Sequence, residues 1–310
     1  MVRNEQAQNS RSTEAVRPDV REAIGRIRQL AQRRPELSSI ALLYEQLLPV
    51  LFAPECAARL KELSKDRWRE KLAQGVPLLR GETMEFGEPA IQESWQELCA
   101  IANRYRANQS PTQSAAALAI QRKSPVESLG KVLNSGPEEW SKESGHAWTD
   151  FGFLMSVLRL WALPRLEPLV HSLAANWLRA GWPHGHCPGC GSWPLLAESR
   201  GLEQFRWLRC GLCGSGWQVD RIYCPFCESR DHRKLQDLFV EGEEQRLRVS
   251  VCDGCRGFVR GISTLSPLSA PALFAADLET FHLQLVAEAR GYLAEPSVSL
   301  QDAERKDTSK

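Results

Sequence analysis

The chain has 310 residues, 43% of them hydrophobic and 25% charged, with a formal net charge of +1. That length can bury one or two ordinary cores. The near-zero charge excludes a global field that would draw the chain to nucleic acid or an anionic membrane.

Residues 1–17 are polar and mixed in charge, and read as a disordered tail. They carry no apolar stretch of the kind a secretory signal needs, so a cytoplasmic protein is expected. The most apolar run, Phe151 to Leu163, is too short to span a bilayer and contains Arg159, so no membrane contact is expected.

A helical domain is expected over 18–180. Val20, Ile24, Ile27, Leu30 and Ala31 recur at helical spacing after Pro18, and Pro35 ends that element. Leu37, Ile40, Ala41, Tyr44, Leu47, Leu48 and Leu51 mark one face of a second helix over 36–51. Further helices are predicted near 55–74, 88–107, 113–122 and 126–134, punctuated by Gly75, Gly87, Pro111, Pro125 and Gly136. Phe151 to Trp161 and Leu166 to Leu178 read as two buried helices broken at Pro164.

At Gly181 the pattern changes to short alternating runs between glycine-rich turns, and this continues to Ser263. Eight of the ten cysteines lie here in four C-x-x-C pairs: Cys187/Cys190, Cys210/Cys213, Cys224/Cys227 and Cys252/Cys255. Two thiolates three positions apart in a tight turn chelate one ion, and backbone N–H groups of the turn point at the sulfurs. Gly191 and Gly214 let the backbone approach closely, and Pro188 and Pro225 stiffen their turns. One pair supplies two ligands, so a closed tetrahedral site needs two pairs.

Nineteen residues separate Cys190 from Cys210, and twenty-four separate Cys227 from Cys252. The first interval reads as strands Trp193 to Ala197 and Gln204 to Leu208 around Arg200-Gly201. The second reads as Lys234 to Val240 and Gln245 to Val251 around 241–244. Knuckle, hairpin, knuckle and closing strand is the layout of a zinc ribbon or rubredoxin, here repeated, with closing strands at Trp217 to Ile222 and Phe258 to Ser263. The first two knuckles are therefore paired as one site and the last two as another. The spacing leaves an interleaved pairing, first knuckle with third and second with fourth, open as the lesser alternative, and it does not separate zinc from iron. A thioredoxin-like redox role lacks the βαβ unit it needs. Cys56 and Cys99 lie alone in helical segments and read as inert core residues.

Between 181 and 260 there are eleven Lys/Arg against ten Asp/Glu, too even a balance for phosphate binding. Trp193, Phe205, Trp207, Trp217 and Phe258 are available either to contact a partner or to fill small ribbon cores. His184 and His186 read as loop residues and not as ligands, because four sulfurs already complete each site. His282 reads as a core histidine bonded to a neighbour. No G-x-S-x-G, Walker A or dinucleotide motif is present, and nothing marks an enzyme. The last periodic segment, within 264–295, places Leu278, Phe281, His282, Leu285, Val286, Ala289, Tyr292 and Leu293 on one helical face. Residues 296–310 read as a flexible tail. The fold class is thus α+β: an all-helical N-terminal domain, two tandem rubredoxin/zinc-ribbon-like modules over 181–263, and a C-terminal helix.

The stretches Cys187-Pro-Gly-Cys-Gly-Ser-Trp-Pro194, Leu208-Arg-Cys-Gly-Leu-Cys-Gly-Ser-Gly-Trp217, Arg221-Ile-Tyr-Cys-Pro-Phe-Cys227 and Cys252-Asp-Gly-Cys255 resemble the FdhE family of formate dehydrogenase accessory proteins. So does Asp277-Leu-Glu-Thr-Phe-His-Leu283 with Gly291-Tyr292. Phe258 and Arg260 stand where that family commonly has Tyr and Lys. The resemblance implies a cytoplasmic factor that binds the catalytic subunit of a formate dehydrogenase during assembly and holds iron in rubredoxin fashion. A redox role for such iron, a zinc-ribbon role on nucleic acid, and self-association are the alternatives.

Overall fold

Pro18 sits in the first turn of α1 (Pro18–Arg33), where a missing N–H costs nothing, with Asp19 at the start and Arg33 at the end complementing the helix dipole. A computed structural model describes residues 16–52, 57–61, 65–86, 90–109, 124–135 and 148–296. α1 buries Val20, Ala23, Ile27 and Leu30. After a 3-10 turn at Pro35–Leu37, α2 (Ser38–Leu51) buries Ala41, Leu47, Leu48 and Leu51. The single helix expected over 55–74 is broken instead. Arg59–Leu60 forms β1, paired with β2 (Met84–Glu85), and α3 covers only Lys65–Ala73. The partner strand lies beyond α3, so local periodicity carried no sign of it.

α4 (Ala90–Gln109) and α5 (Pro125–Ser135) lie near their expected positions, whereas residues 113–122 and Cys56 fall outside the described residues. The break expected at Pro164 is absent: α6 runs unbroken from Trp148 to Ala180 through Pro164 and Pro168. Each proline removes one helical hydrogen bond. Tertiary packing compensates, because Trp161, Ala162, Leu163, Arg165 and Leu166 are at most 1% exposed and Pro164 is buried among them. Buried Arg165 also donates from Nη1 to the Trp161 carbonyl (2.8 Å), lies 4.5 Å over the Trp161 ring, and reaches Ser94 Oγ on α4 (2.6 Å).

The cysteine-rich region forms one sheet, not two separate ribbons. Its strands are β3 (Pro194–Arg200), β4 (Phe205–Cys210), β5 (Gly216–Gln218), β6 (Leu235–Leu238), β7 (Leu247–Cys252) and β8 (Phe258–Thr264). Their spatial order is β5-β4-β3-β8-β7-β6. Each repeat is an antiparallel triplet, and the two join through a parallel β3–β8 pairing in which Leu196 faces Arg260 and Arg200 faces Thr264. The joint removes one open edge from each triplet. Fully buried Glu198 pins it, accepting from Arg209 Nη1 (2.6 Å), Arg200 Nε (2.7 Å) and the Leu268 amide (3.3 Å).

α7 (Ala270–Glu288) starts at Ser269, whose hydroxyl caps the Ala272 amide, and packs on α1, β7 and β8. Its most buried residues are Leu273, Ala276, Thr280, Leu283 and Ala287. Phe281 and Leu285, expected on the core face, are 43% and 52% exposed, and Tyr292 and Leu293 lie beyond the helix end. α7 is apolar almost all round, so periodicity alone gave the wrong phase. Among the described residues no helix is long and apolar enough to cross a membrane.

Candidate metal centres

All four C-x-x-C turns share one backbone design. The first cysteine's amide donates to the carbonyl five residues on: Cys187 to Ser192, Cys210 to Ser215, Cys224 to Ser229 and Cys252 to Gly257, each at 2.9 Å. The residue four positions on donates back to that cysteine's carbonyl and adopts positive φ. Gly191 (84°) and Gly214 (74°) do this without strain, whereas Glu228 (58°) and Arg256 (61°) do it in spite of a side chain. A Cβ on Gly214 would lie 2.9 Å from Glu167 Cγ of α6, so close approach adds a second reason for glycine there. The two non-glycine positions had no signature in the sequence.

The folded turns bring the sulfurs together in the sequential pairing. Cys187, Cys190, Cys210 and Cys213 form one set, and Cys224, Cys227, Cys252 and Cys255 the other, with all sulfurs of a set within 4.8 Å of one another. Cross-pair contacts are 3.5 Å (Cys187–Cys213), 3.4 Å (Cys190–Cys210), 3.6 Å (Cys224–Cys255) and 3.7 Å (Cys227–Cys252). Four sulfurs at metal–sulfur bonds of about 2.3 Å around a tetrahedral ion would stand about 3.8 Å apart, so the donor sets fit one ion each. The interleaved pairing is not the one formed. Among the described residues, no other cluster of metal-ligating groups converges.

Backbone amides stabilise the sulfurs, with Cys190 N and Cys213 N 3.5 Å from Cys187 Sγ and Cys210 Sγ, and Leu212 N 3.3 Å from Cys210 Sγ. Thiols this close cannot all ionise unaided. Burial, then hydrogen bonds to neighbouring sulfurs, hold Cys190 and Cys213 well above the ordinary thiol range. At Cys210 burial pushes the same way but is outweighed by hydrogen bonds from Cys187, Cys190 and Cys213, and the thiol falls well below that range. In the second set, hydrogen bonds from Cys224 and Cys255 bring Cys227 down to about 2, whereas its bonds to Cys227 and Cys255 hold Cys224 up. A central cation would remove that conflict.

The two sets differ in their surroundings. The first is buried on every side, and its knuckle one is gripped by the helical domain: Leu78 N donates to Pro188 O (2.9 Å) and Leu79 N to Gly189 O (2.8 Å). Lys71 holds that gripping loop through Leu78 O (2.9 Å), Arg80 O (2.6 Å) and Glu82. Trp177 Nε1 of α6 donates to Gly216 O (3.2 Å). In the second set Cys227 and Cys255 remain half-buried.

His184 and His186 lie between the two sets and enter neither, as expected. Their rings stack at 5.1 Å with Trp182 edge-on to both. They are nevertheless more than loop residues. Trp217 Nε1 donates to His184 O (3.2 Å), and burial, reinforced by His184, pushes His186 down to about 4, leaving Nε2–H to donate to Gly75 O (3.3 Å). Trp217 and Phe258 are core residues, and of the five aromatics named from sequence only Phe205, at 49%, is exposed. His282, expected in the core, is only half-buried, and it does bond to neighbours, Glu243 (2.6 Å) and Arg34 (2.5 Å). Cys99 is buried alone in α4, and burial pushes it up to about 12.

Fold and site together define a class: a helical domain joined to a paired tetrathiolate sheet. No protein-family model matches the chain. A protein FdhE homolog of Aquifex aeolicus is 21% identical over 281 residues, covering 87% of this chain and 91% of that one. Protein FdhE of Escherichia coli is 26% identical over 284 residues, 86% of this chain and 82% of its own length. A protein FdhE homolog of Stutzerimonas stutzeri is 33% identical over 109 residues, 34% of this chain and 35% of its own length. The crystal structure of the FdhE protein from Pseudomonas aeruginosa has the same fold, with a TM-score of 0.54, 23% identity, and coverage of 87% of this chain and 91% of that one. The chain is thus similar, over most of its length, to FdhE proteins.

Proposed function

We propose that the chain is a non-catalytic maturation factor for a formate dehydrogenase, acting by binding the enzyme's catalytic subunit in the cytoplasm. The observation that carries the reading is the joining of two tetrathiolate sets and a helical domain into one scaffold, together with similarity to FdhE proteins over most of the chain. Cys187, Cys190, Cys210 and Cys213 hold one ion, and Cys224, Cys227, Cys252 and Cys255 a second. Iron is the metal the family resemblance implies, and zinc would satisfy the same sulfurs. Each ion cross-links two turns of a sheet whose own core is small. Residues 18–180 supply the helical platform, 181–263 the metal-bearing sheet, and 264–295 the segment that ties them.

The test is affinity capture from an anaerobic lysate with the tagged full chain. Enrichment of the formate dehydrogenase catalytic subunit, lost when Cys187 and Cys224 are both replaced by Ala, is the expected result. Capture that excludes that subunit contradicts the proposal. A second reading, electron exchange through an iron site, is favoured by the half-buried Cys227 and Cys255. Iron would permit a one-electron change there, and a visible absorption that bleaches reversibly on reduction distinguishes it from a zinc scaffold.

A further inference from the structure

The segment that follows α7 is bound to the second thiolate set more closely than a chain end needs to be. Leu293 adds a parallel β-bridge to Gly257: its amide donates to Arg256 O (2.8 Å), and its carbonyl accepts from Phe258 N (3.0 Å). Tyr292 donates its hydroxyl to Asp253 Oδ1 (2.6 Å). The Arg256 guanidinium lies 3.9 Å over the Tyr292 ring and donates to Arg290 O (2.6 Å). Pro296 packs against Gly257, where an added Cβ would lie 2.9 Å from Pro296 Cγ. Glu295 accepts from Arg159 of α6 (2.8 Å).

These contacts fall on Asp253, Arg256, Gly257 and Phe258, the backbone that encloses Cys255. Arg256 is also a turn residue forced into positive φ, a strained conformation for a residue with a side chain that persists only with support from its surroundings. Knuckle one has a counterpart support from Leu78 and Leu79, but it is buried on all sides. At knuckle four the support lies beside half-buried sulfurs.

We propose that residues 290–296 are a clamp on the second thiolate set, holding knuckle four closed and setting the rate at which a transition-metal cation enters or leaves past Cys227 and Cys255. The proposal rests on the reading that Cys224, Cys227, Cys252 and Cys255 hold an ion.

The test uses the full chain loaded with zinc and then mixed with excess chromogenic chelator. Wild-type protein should carry two zinc ions and release them in a fast and a slow phase, the fast one missing in Cys227→Ser. Leu293→Pro removes the amide that bonds Arg256 O, and Tyr292→Phe removes the hydroxyl that bonds Asp253. Each should speed the fast phase roughly fivefold, the factor one ordinary hydrogen bond carries, and leave the slow phase unchanged. If Leu293→Pro does not fold, Tyr292→Phe decides alone. Two bound zinc ions with an unaltered fast phase, or with both phases quickened alike, overturn the clamp and leave the metal reading standing. Fewer than two zinc ions in the wild type overturn the metal reading, and the clamp with it.

Discussion

The two thiolate sets are built from the same turn and placed in opposite settings. The first lies where helical domain and sheet meet, with α6, the Leu78–Leu79 loop and β3–β5 closing every side. The second lies at the far triplet of the sheet, held by a linker and by the segment after α7, with two sulfurs half-buried. Ligand geometry therefore fixes what each set can bind, and the surroundings fix what loss of the ion would disturb. The first set acts as a joint between the two halves, and the second as a local fastener.

The largest expected effect tests that contrast. Cys187→Ala should lower bound metal from two ions to one and reduce amide hydrogen-exchange protection both in β3–β5 and in the helical segments around Leu78 and Trp177. Cys224→Ala should lose one ion while its exchange changes stay within 219–264 and the 290–296 segment bonded to knuckle four. Structural tetrathiolate ions contribute on the order of 10 kcal/mol, so both variants should be clearly destabilised. Equal spreading of exchange in the two would break the contrast.

Gly185 welds the two sets together, since any Cβ there would overlap the Pro225 carbonyl of knuckle three. Gly185→Ala should cost about 3 kcal/mol, at the upper end of overpacking penalties, read by chemical denaturation, and should weaken metal retention at both sets. A cost near zero would mean that the sets are not packed against each other as described.

Much of this was legible in the residues. Four C-x-x-C pairs and two hairpin-length intervals defined knuckles and strands to within a few residues and favoured the sequential sulfur pairing, because those constraints are local; only the folded sulfurs removed the interleaved one. The parallel β3–β8 joint was not legible, nor was Glu198 beneath it, because both depend on residues more than sixty positions apart. Pro164 misled because burial and Arg165 offset the one helical hydrogen bond it removes. In α7 the packed face mixes Leu273 and Leu283 with Ala276, Thr280 and Ala287 while Phe281 and Leu285 point outward, so hydrophobicity favoured the wrong stripe.

Lys71→Met offers a finer probe of the joint. It deletes the ammonium that holds Leu78 O, Arg80 O and Glu82. The loss should be about 2 kcal/mol, typical of hydrogen bonds to a charged group, with slower-phase zinc release quickened and the faster phase unaffected. A change confined to the faster phase would reverse the assignment of the two sets. The smallest effect should come from Cys99→Ala, a packing change of about 1 kcal/mol in thermal denaturation that leaves two ions bound. Loss of an ion in that variant would show that Cys99 is not the isolated core thiol described.

The most direct measurement is metal analysis of chain purified without oxygen, paired with a count of reactive thiols before and after chelation. Two tightly bound ions per chain, with eight cysteines protected until the chelator is added, is the result that two tetrathiolate centres require. Folded protein that retains no ion, or whose cysteines all react at once, would contradict them.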